Sequence, residues 1–372
     1  MITRRRFLTG VGAGLLAGCV PAYEDERISN PCPPGPLPQT LAADPVLATA
    51  WQGIGADRVW DCHVHVAGFG DAESGIWINP QLRSWLAPLR RLRTKFYLDA
   101  ACVDPAGVVD TQYVARLLAL HGDFPRVTKL MLLALDYHYR EDGERDLSRT
   151  TFAVPNEYAA LLAQTYPQSF LWTASVHPYR KDCVQALARC AAGGARAVKW
   201  LPPAMGMDPS SPLCDPFYDA LVKLQLPLLT HGGHEYAVAG SELQALGNPL
   251  LLRRALDHGV RVLVAHCASL GSSVDLDKGK YAAKQSNFSL FSRLMAEARY
   301  EGRLFGEISA TLLINHDLQV LDELLRRDEW HARLINGSDY PLPGIMPLYS
   351  LRRLVARGLL EEAKAHFCAQ LR

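Results

Sequence analysis

Hydrophobic and polar positions follow two rhythms along most of this chain. Short runs rich in Val, Leu and Ile read as buried strands at 58–66, 128–137, 169–178, 195–203, 226–234, 261–269, 303–310 and 332–341. Between them, stretches such as PFYDALVKLQ, PLLLRRALDHG and LQVLDELLRRD space their apolar residues three and four apart. In the last, Leu318, Val320, Leu321, Leu324 and Leu325 share one side, the spacing of an amphipathic helix. Strands this continuously apolar, alternating with helices, predict a parallel sheet covered by helices. Eight alternations is the number that closes a (β/α)8 TIM barrel. An open doubly wound sheet shares the alternation, but no GxGxxG follows any strand.

The spacing between the first two runs is about sixty residues, longer than most of the others. It contains NPQLRSWLAPLRRLRTKFYLDAACV and DTQYVARLLALHG, both helical in pattern, so an insertion after strand 1 is expected to cap the barrel. The basic run RRLRTK at 90–95 reads as a solvated helix face.

The first eighteen residues follow neither rhythm. They combine Arg4, Arg5 and Arg6, no acid, and a Gly/Ala/Leu run too short to span a bilayer. Thr3–Leu8 resembles a twin-arginine export motif, and Leu16-Ala17-Gly18-Cys19 resembles a bacterial lipobox that would leave Cys19 carrying lipid. An ordinary cleaved signal with a chance cysteine is the alternative. The expected layout is an export signal at 1–18, a Pro-rich extended linker at 19–44 and one barrel domain at 45–372. On this reading the protein is exported to the periplasm or cell envelope and held at the membrane through Cys19.

Composition changes the picture little. The 372 residues are 49% hydrophobic and 21% charged with a formal net charge of +1, which suits a globular body and offers no bulk attraction for nucleic acid. Nine cysteines include no CxxC pair and no zinc-finger spacing, and most lie in apolar runs as plain buried thiols. The pattern makes no argument for a disulfide.

The chemistry lies at the ends of the strand runs. In DCHVH, Asp61, His63 and His65 alternate, which places them on one face of a strand. Later runs end in His177, Lys199, His231 (with His234 just beyond), His266, Glu307 and Asp339. In a parallel barrel all C-terminal strand ends form one rim, where catalytic groups sit. Any one histidine here could be a hydrogen-bonded core residue, and Asp339 could close a turn. Together they would be costly to bury without a shared partner. Four histidines and an acid suit a divalent ion such as zinc, whose imidazole and carboxylate ligands lie at ~2.0–2.2 Å.

HxH on strand 1, Lys on strand 4, His on strands 5 and 6 and Asp on strand 8 resemble the amidohydrolase superfamily. DCHVH, VKWLPP, LLTHGG, VLVAHC, FGEIS and INGSDYP most resemble its amidohydrolase-related, TIM-barrel metal-dependent branch. The resemblance implies that His63, His65 and Asp339 bind one metal, with Asp339 also handling the proton of the attacking water. It implies that His231 and His266 bind a second ion where there is one, bridged by a carboxylated Lys199. In one-metal members His231 stays a ligand and His266 polarises substrate or water. Trp200 follows Lys199 where Leu-His-Pro often does, which departs from the carbamate pattern. His177, His234 and Glu307 are read as substrate contacts and Asp61 as a group behind the ligands. The expected activity is metal-dependent hydrolysis of a small-molecule amide, ester or lactone. A non-oxidative decarboxylase and a non-catalytic binding lipoprotein are the alternatives, and the oligomeric state is open.

Overall fold

The structure is a computed structural model that describes residues 29–33, 35–55, 59–124, 128–238 and 241–371. The expected export signal and Cys19 lie outside the described residues.

Each of the eight apolar runs contains a strand. These are β1 (Trp60–His65), β2 (Lys129–Leu133), β3 (Phe170–Thr173), β4 (Val198–Trp200), β5 (Leu228–His231), β6 (Val262–Ala265), β7 (Leu304–Glu307) and β8 (Leu334–Ile335). β1, β2 and β3 pair in parallel in that order, and β4 to β8 form a second parallel array. Two parallel bridges close the circuit, Ala174 with Val198 and Val64 with Tyr340. The result is a (β/α)8 TIM barrel. At the second seam, His65 N–H donates to Tyr340 O and Asp339 N–H to His63 O, at 3.0 and 2.8 Å. The last strand end is thereby registered against the first, and the ligand candidates of both meet.

Helices fill the intervals as the spacing predicts. α1 (Pro88–Ala100) and α2 (Val109–Gly122) follow β1, with α3 (Asn156–Thr165), α4 (Cys183–Ala192), α5 (Asp215–Leu224), α6 (Arg253–Asp257) and α7 (Asn287–Met295) next. α8 (Leu318–Arg326), α9 (Leu351–Ala356) and α10 (Glu362–Leu371) complete the chain. α8 is bounded as the sequence suggests: Asp317 accepts the Gln319 N–H at its start, and Leu318, Val320 and Leu324 are buried. The main core lies between strands and helices, while a small apolar cluster of Leu133, Leu229, Ala265 and Leu263 plugs the barrel interior.

The insertion after β1 is real and is held by two carboxylates. Buried Asp110, near the start of α2, accepts N–H bonds from Phe69, Gly70 and Ala72 and a hydroxyl bond from Ser74. Asp71 reciprocates by accepting the N–H groups of Val109 and Asp110, two of the unpaired donors that open any helix. This clamp sets the path of the loop that carries α1 across the barrel mouth. A short antiparallel pair, Trp77–Ile78 with Phe152–Ala153, ties the same loop to the one after β2.

Two features differ from expectation. Cys32 and Cys102 form a disulfide, which the cysteine spacing did not suggest, because the pairing depends on where the chain crosses α1. The Pro-rich segment is also fastened to the barrel from Asn30 onward. Asn30 N–H donates to Asp99 at 3.0 Å and Leu37 N–H to Asp123 at 2.9 Å, and short helices occupy Gln39–Ala42 and Pro45–Ala50.

Candidate metal and active site

Six expected site residues line one cavity of about 570 Å³ at the C-terminal rim: His63, His65, Lys199, His231, His266 and Asp339. Their backbones turn sharply to bring them there. His266 and Asp339 both adopt positive φ, 57° and 58°, a region that costs a side-chain-bearing residue about 1–2 kcal/mol. Gly337 lies close above the same floor. A Cβ there would come within 2.3 Å of Glu307 Oε1 and 2.8 Å of the His63 Cβ, so the Asn-Gly-Ser-Asp turn needs glycine at that point.

The tightest convergence is on Asp339 Oδ1, 3.3 Å from His63 Nε2 and 3.1 Å from His65 Nε2. Lys199 Nζ, fully buried, lies 3.1 Å from the same His63 nitrogen. The other side of His63 is committed, since its Nδ1 faces Glu307 Oε2 at 2.9 Å. Glu307 also accepts from Ser309 N–H (2.6 Å), the Ser309 hydroxyl (2.8 Å) and His266 N–H (3.4 Å). Ser309 in turn presents its carbonyl to His266 Nδ1 at 3.0 Å, leaving His266 Nε2 facing Asp339 Oδ2 at 3.8 Å.

Electrostatics make these groups ready to ligate. Burial, with Lys199 next in effect, holds the His63 pKa well below its ordinary value. Burial and the neighbouring histidines do the same to His266, and burial also lowers His231. Neutral imidazoles are the ligating form. Burial opposes charge on Asp339, but His63, His65 and Lys199 outweigh it and its pKa falls below the carboxylate norm. Glu307 is pushed up to about 7 by burial, and Lys199 is brought down to about 8 by the same cause.

These observations test whether a metal fits. With the Nδ1 proton of His63 directed to Glu307, the Nε2 lone pair points at an ionised carboxylate oxygen. Two acceptors held this close call for a cation beside them; Lys199 Nζ offers one charge at 3.1 Å, and a divalent ion would offer two. His63, His65 and Asp339 therefore form a ligand set suited to a divalent ion, and their donor atoms lie within 4.8 Å of one another. His63 with His266 and Glu307 makes a second such group behind it.

His231, expected to bind a second ion with His266, has neighbours at both ring nitrogens. It lines the cavity, but its Nε2 faces the His234 carbonyl at 3.1 Å and its Nδ1 faces Glu235 at 3.4 Å, so neither nitrogen joins Asp339. The three expected substrate contacts do not line the cavity. His177 is fully buried between Tyr139 and Tyr179, bonded to Met205 O and the Tyr179 N–H. His234 is taken up by Tyr236 and the Ser272 carbonyl. Glu307 orients His63 from beneath. Asp61 accepts N–H bonds from His63 and Ser338, joining both strand ends, and burial raises its pKa to about 6.

Some lining residues were missed or misread. Arg90, Arg93, Thr94 and Tyr97 of α1 face the cavity, so the basic run is not merely a solvated face. Arg149 and Glu235 line it as well. Their only sequence signal was position in or beside a loop that follows a strand. In the Leu270–Asn287 segment, Ser272–Val274 and Lys284–Ser286 form a hairpin outside that lining.

A TIM barrel with an HxH strand end facing a strand-8 aspartate defines a class of metal-dependent enzyme. The amidohydrolase family profile matches residues 60–357, and the chain belongs to that family. Among solved structures, it is similar to an uncharacterised TIM-barrel protein from Bordetella bronchiseptica at 16% identity, covering 84% of this chain and 99% of that one, TM-score 0.48. It is also similar to a probable 2-pyrone-4,6-dicarboxylic acid hydrolase from Acinetobacter baumannii at 13% identity, covering 83% and 94%, TM-score 0.46. A 2,6-dihydroxybenzoate decarboxylase from Rhizobium is 13% identical over 81% of this chain and 98% of that one, TM-score 0.41. No curated protein matches the chain.

Proposed function

We propose that this protein is an exported, metal-dependent hydrolase of a small anionic amide, ester or lactone. The observation that carries the reading is the convergence of His63, His65 and Asp339 at the floor of a cavity whose upper wall bears Arg90 and Arg93. Those guanidinium groups are suited to a substrate carboxylate. His63, His65 and Asp339 hold the ion, with zinc the expected species. A divalent ion there supplies Lewis acidity and brings the pKa of water towards ~7. Asp339, ionised and within reach of that position, accepts the proton of the attacking water and returns it to the leaving group. His266, neutral with Nδ1–H held by Ser309, keeps Nε2 bare and so can accept a proton from the attacking water or a substrate hydroxyl. Lys199 at a pKa of about 8 has a neutral fraction available for carboxylation, which would permit a second ion.

A second reading is non-oxidative decarboxylation. It is favoured by His231 being turned to Glu235 and His234 O. The test begins with metal per chain in protein purified without chelator, and in Lys199→Ala. Two ions falling to one or none in the variant support hydrolysis with a bridging lysine. One ion unaffected by the variant favours a one-ion site, and CO2 release from a hydroxybenzoate panel, scored beside ester and lactone hydrolysis, then decides the reaction. No bound metal after reconstitution with zinc or manganese would sink both readings. Export and a lipid on Cys19 complete the proposal and are read by fractionation and mass of the mature N-terminus.

A further inference from the structure

Large exposed apolar side chains of the described residues are mostly scattered, with one exception. Trp85, Leu86, Leu92 and Phe96 crowd the start and outer side of α1, with exposures of 77, 97, 50 and 38%, while Leu89 lines the cavity. The same stretch carries Arg83, Arg90, Arg91, Arg93 and Lys95, and no acid occurs between Glu73 and Asp99. Leu92 and Phe96 are one turn apart, and Arg91 and Lys95 run beside them in the same register. The Arg91 guanidinium lies over the Trp85 ring, 3.2 Å from its centroid. The inward side of the helix, with Arg93, Thr94 and Tyr97, is already used by the cavity wall.

We infer that residues 84–96 are a docking surface for an anionic lipid bilayer. A helix presenting Trp, Leu and Phe among Arg and Lys lies in the bilayer interface, apolar groups at the acyl boundary and cations at the headgroups. The outward charge, Arg91 and Lys95 with no acid in the stretch, complements anionic headgroups. Chain path agrees. Asn30 is bonded to Asp99 and Ala100 O, and Cys32 is linked to Cys102, so the preceding residues leave from the C-terminal end of α1. Between Cys19 and Asn30 an extended chain spans at most about 40 Å, and α1 is about 20 Å long. An anchor at Cys19 and the α1 surface can therefore meet one membrane. The surface does not depend on that anchor, and docking would hold the cavity mouth at the lipid boundary.

The test uses the full chain carrying Cys19→Ser, so that no lipid can be attached. Sedimentation with vesicles of phosphatidylcholine, alone and mixed with phosphatidylglycerol, reads binding, and brominated acyl chains read tryptophan depth. Expected are binding that requires phosphatidylglycerol and quenching that is lost in Trp85→Phe. Leu92→Ser with Phe96→Ser should weaken partitioning about tenfold or more, and Arg91→Glu with Lys95→Glu should abolish the preference for anionic lipid. All four side chains lie outside the cavity lining, so melting and metal content should be unaltered. Binding that survives both double variants, or an absence of Trp85 quenching, overturns the inference. So does a dimer that Leu92→Ser with Phe96→Ser dissociates when vesicles are not bound, which would make the surface a protein interface.

Discussion

Glu307 and Ser309 set the tautomers of two imidazoles from beneath the cavity floor. His63 Nδ1–H is held by the Glu307 carboxylate and His266 Nδ1–H by the Ser309 carbonyl, so both Nε2 lone pairs face Asp339. Glu307→Gln replaces an acceptor with a group that can also donate, and the His63 ring loses its reason to keep Nε2 bare. Metal affinity should fall about 10–100-fold with the fold intact, as read by chelator competition. His177 is a different case at the same scale. Burial lowers its pKa to about 3, and the Tyr179 N–H it accepts leaves no place for a second proton. The unfolded histidine protonates below about 6.5 while the native one does not. Stability should therefore fall by about 1.4 kcal/mol per pH unit from there towards about 3 on its account. Urea unfolding at pH 7 and pH 5 should show this slope reduced in His177→Gln, whose amide can keep both bonds. The two residues explain why isolated histidines were hard to read. His177 and His63 occur in similar apolar runs, and only the partners met in the folded barrel make one a packing residue and set the other against Asp339 and Glu307.

The element that most changes the reading is α1. Its apolar periodicity and its basic run were visible in sequence, but which cations face solvent and which face the cavity depends on how the loop after β1 lays the helix across the barrel. That path is set by the Asp110 and Asp71 clamp. Arg90→Ala and Arg93→Ala should raise KM for an anionic substrate about tenfold or more each. Neither should change kcat by more than a factor of a few, because they bind ground and transition states alike. A neutral analogue of the same substrate should show no such effect. The strand ends were legible because their period and order carry the information. Each candidate ligand closes an apolar run, and a parallel barrel gathers all such ends. Glu235 had no comparable signal, since it lies beyond its strand in a loop whose course nothing local specifies.

Across the whole molecule, the Cys32–Cys102 disulfide closes a loop of 70 residues that contains β1 and all of α1. Cross-linking a segment of that length restricts the unfolded chain and stabilises by about 2–4 kcal/mol. Unfolding in dithiothreitol should show that loss, and Cys32→Ser with Cys102→Ser should show it without reductant and become insensitive to it. The fold class, the number of strands and the identity of most rim residues followed from the sequence alone, because strand burial and helix amphipathicity are local periodic properties. Three things were decided by tertiary structure: the disulfide, the place of Glu307 behind His63, and the arginines over the cavity. Each depends on a contact between segments far apart in the chain, and the distance and direction of such a contact exist only once the barrel has closed.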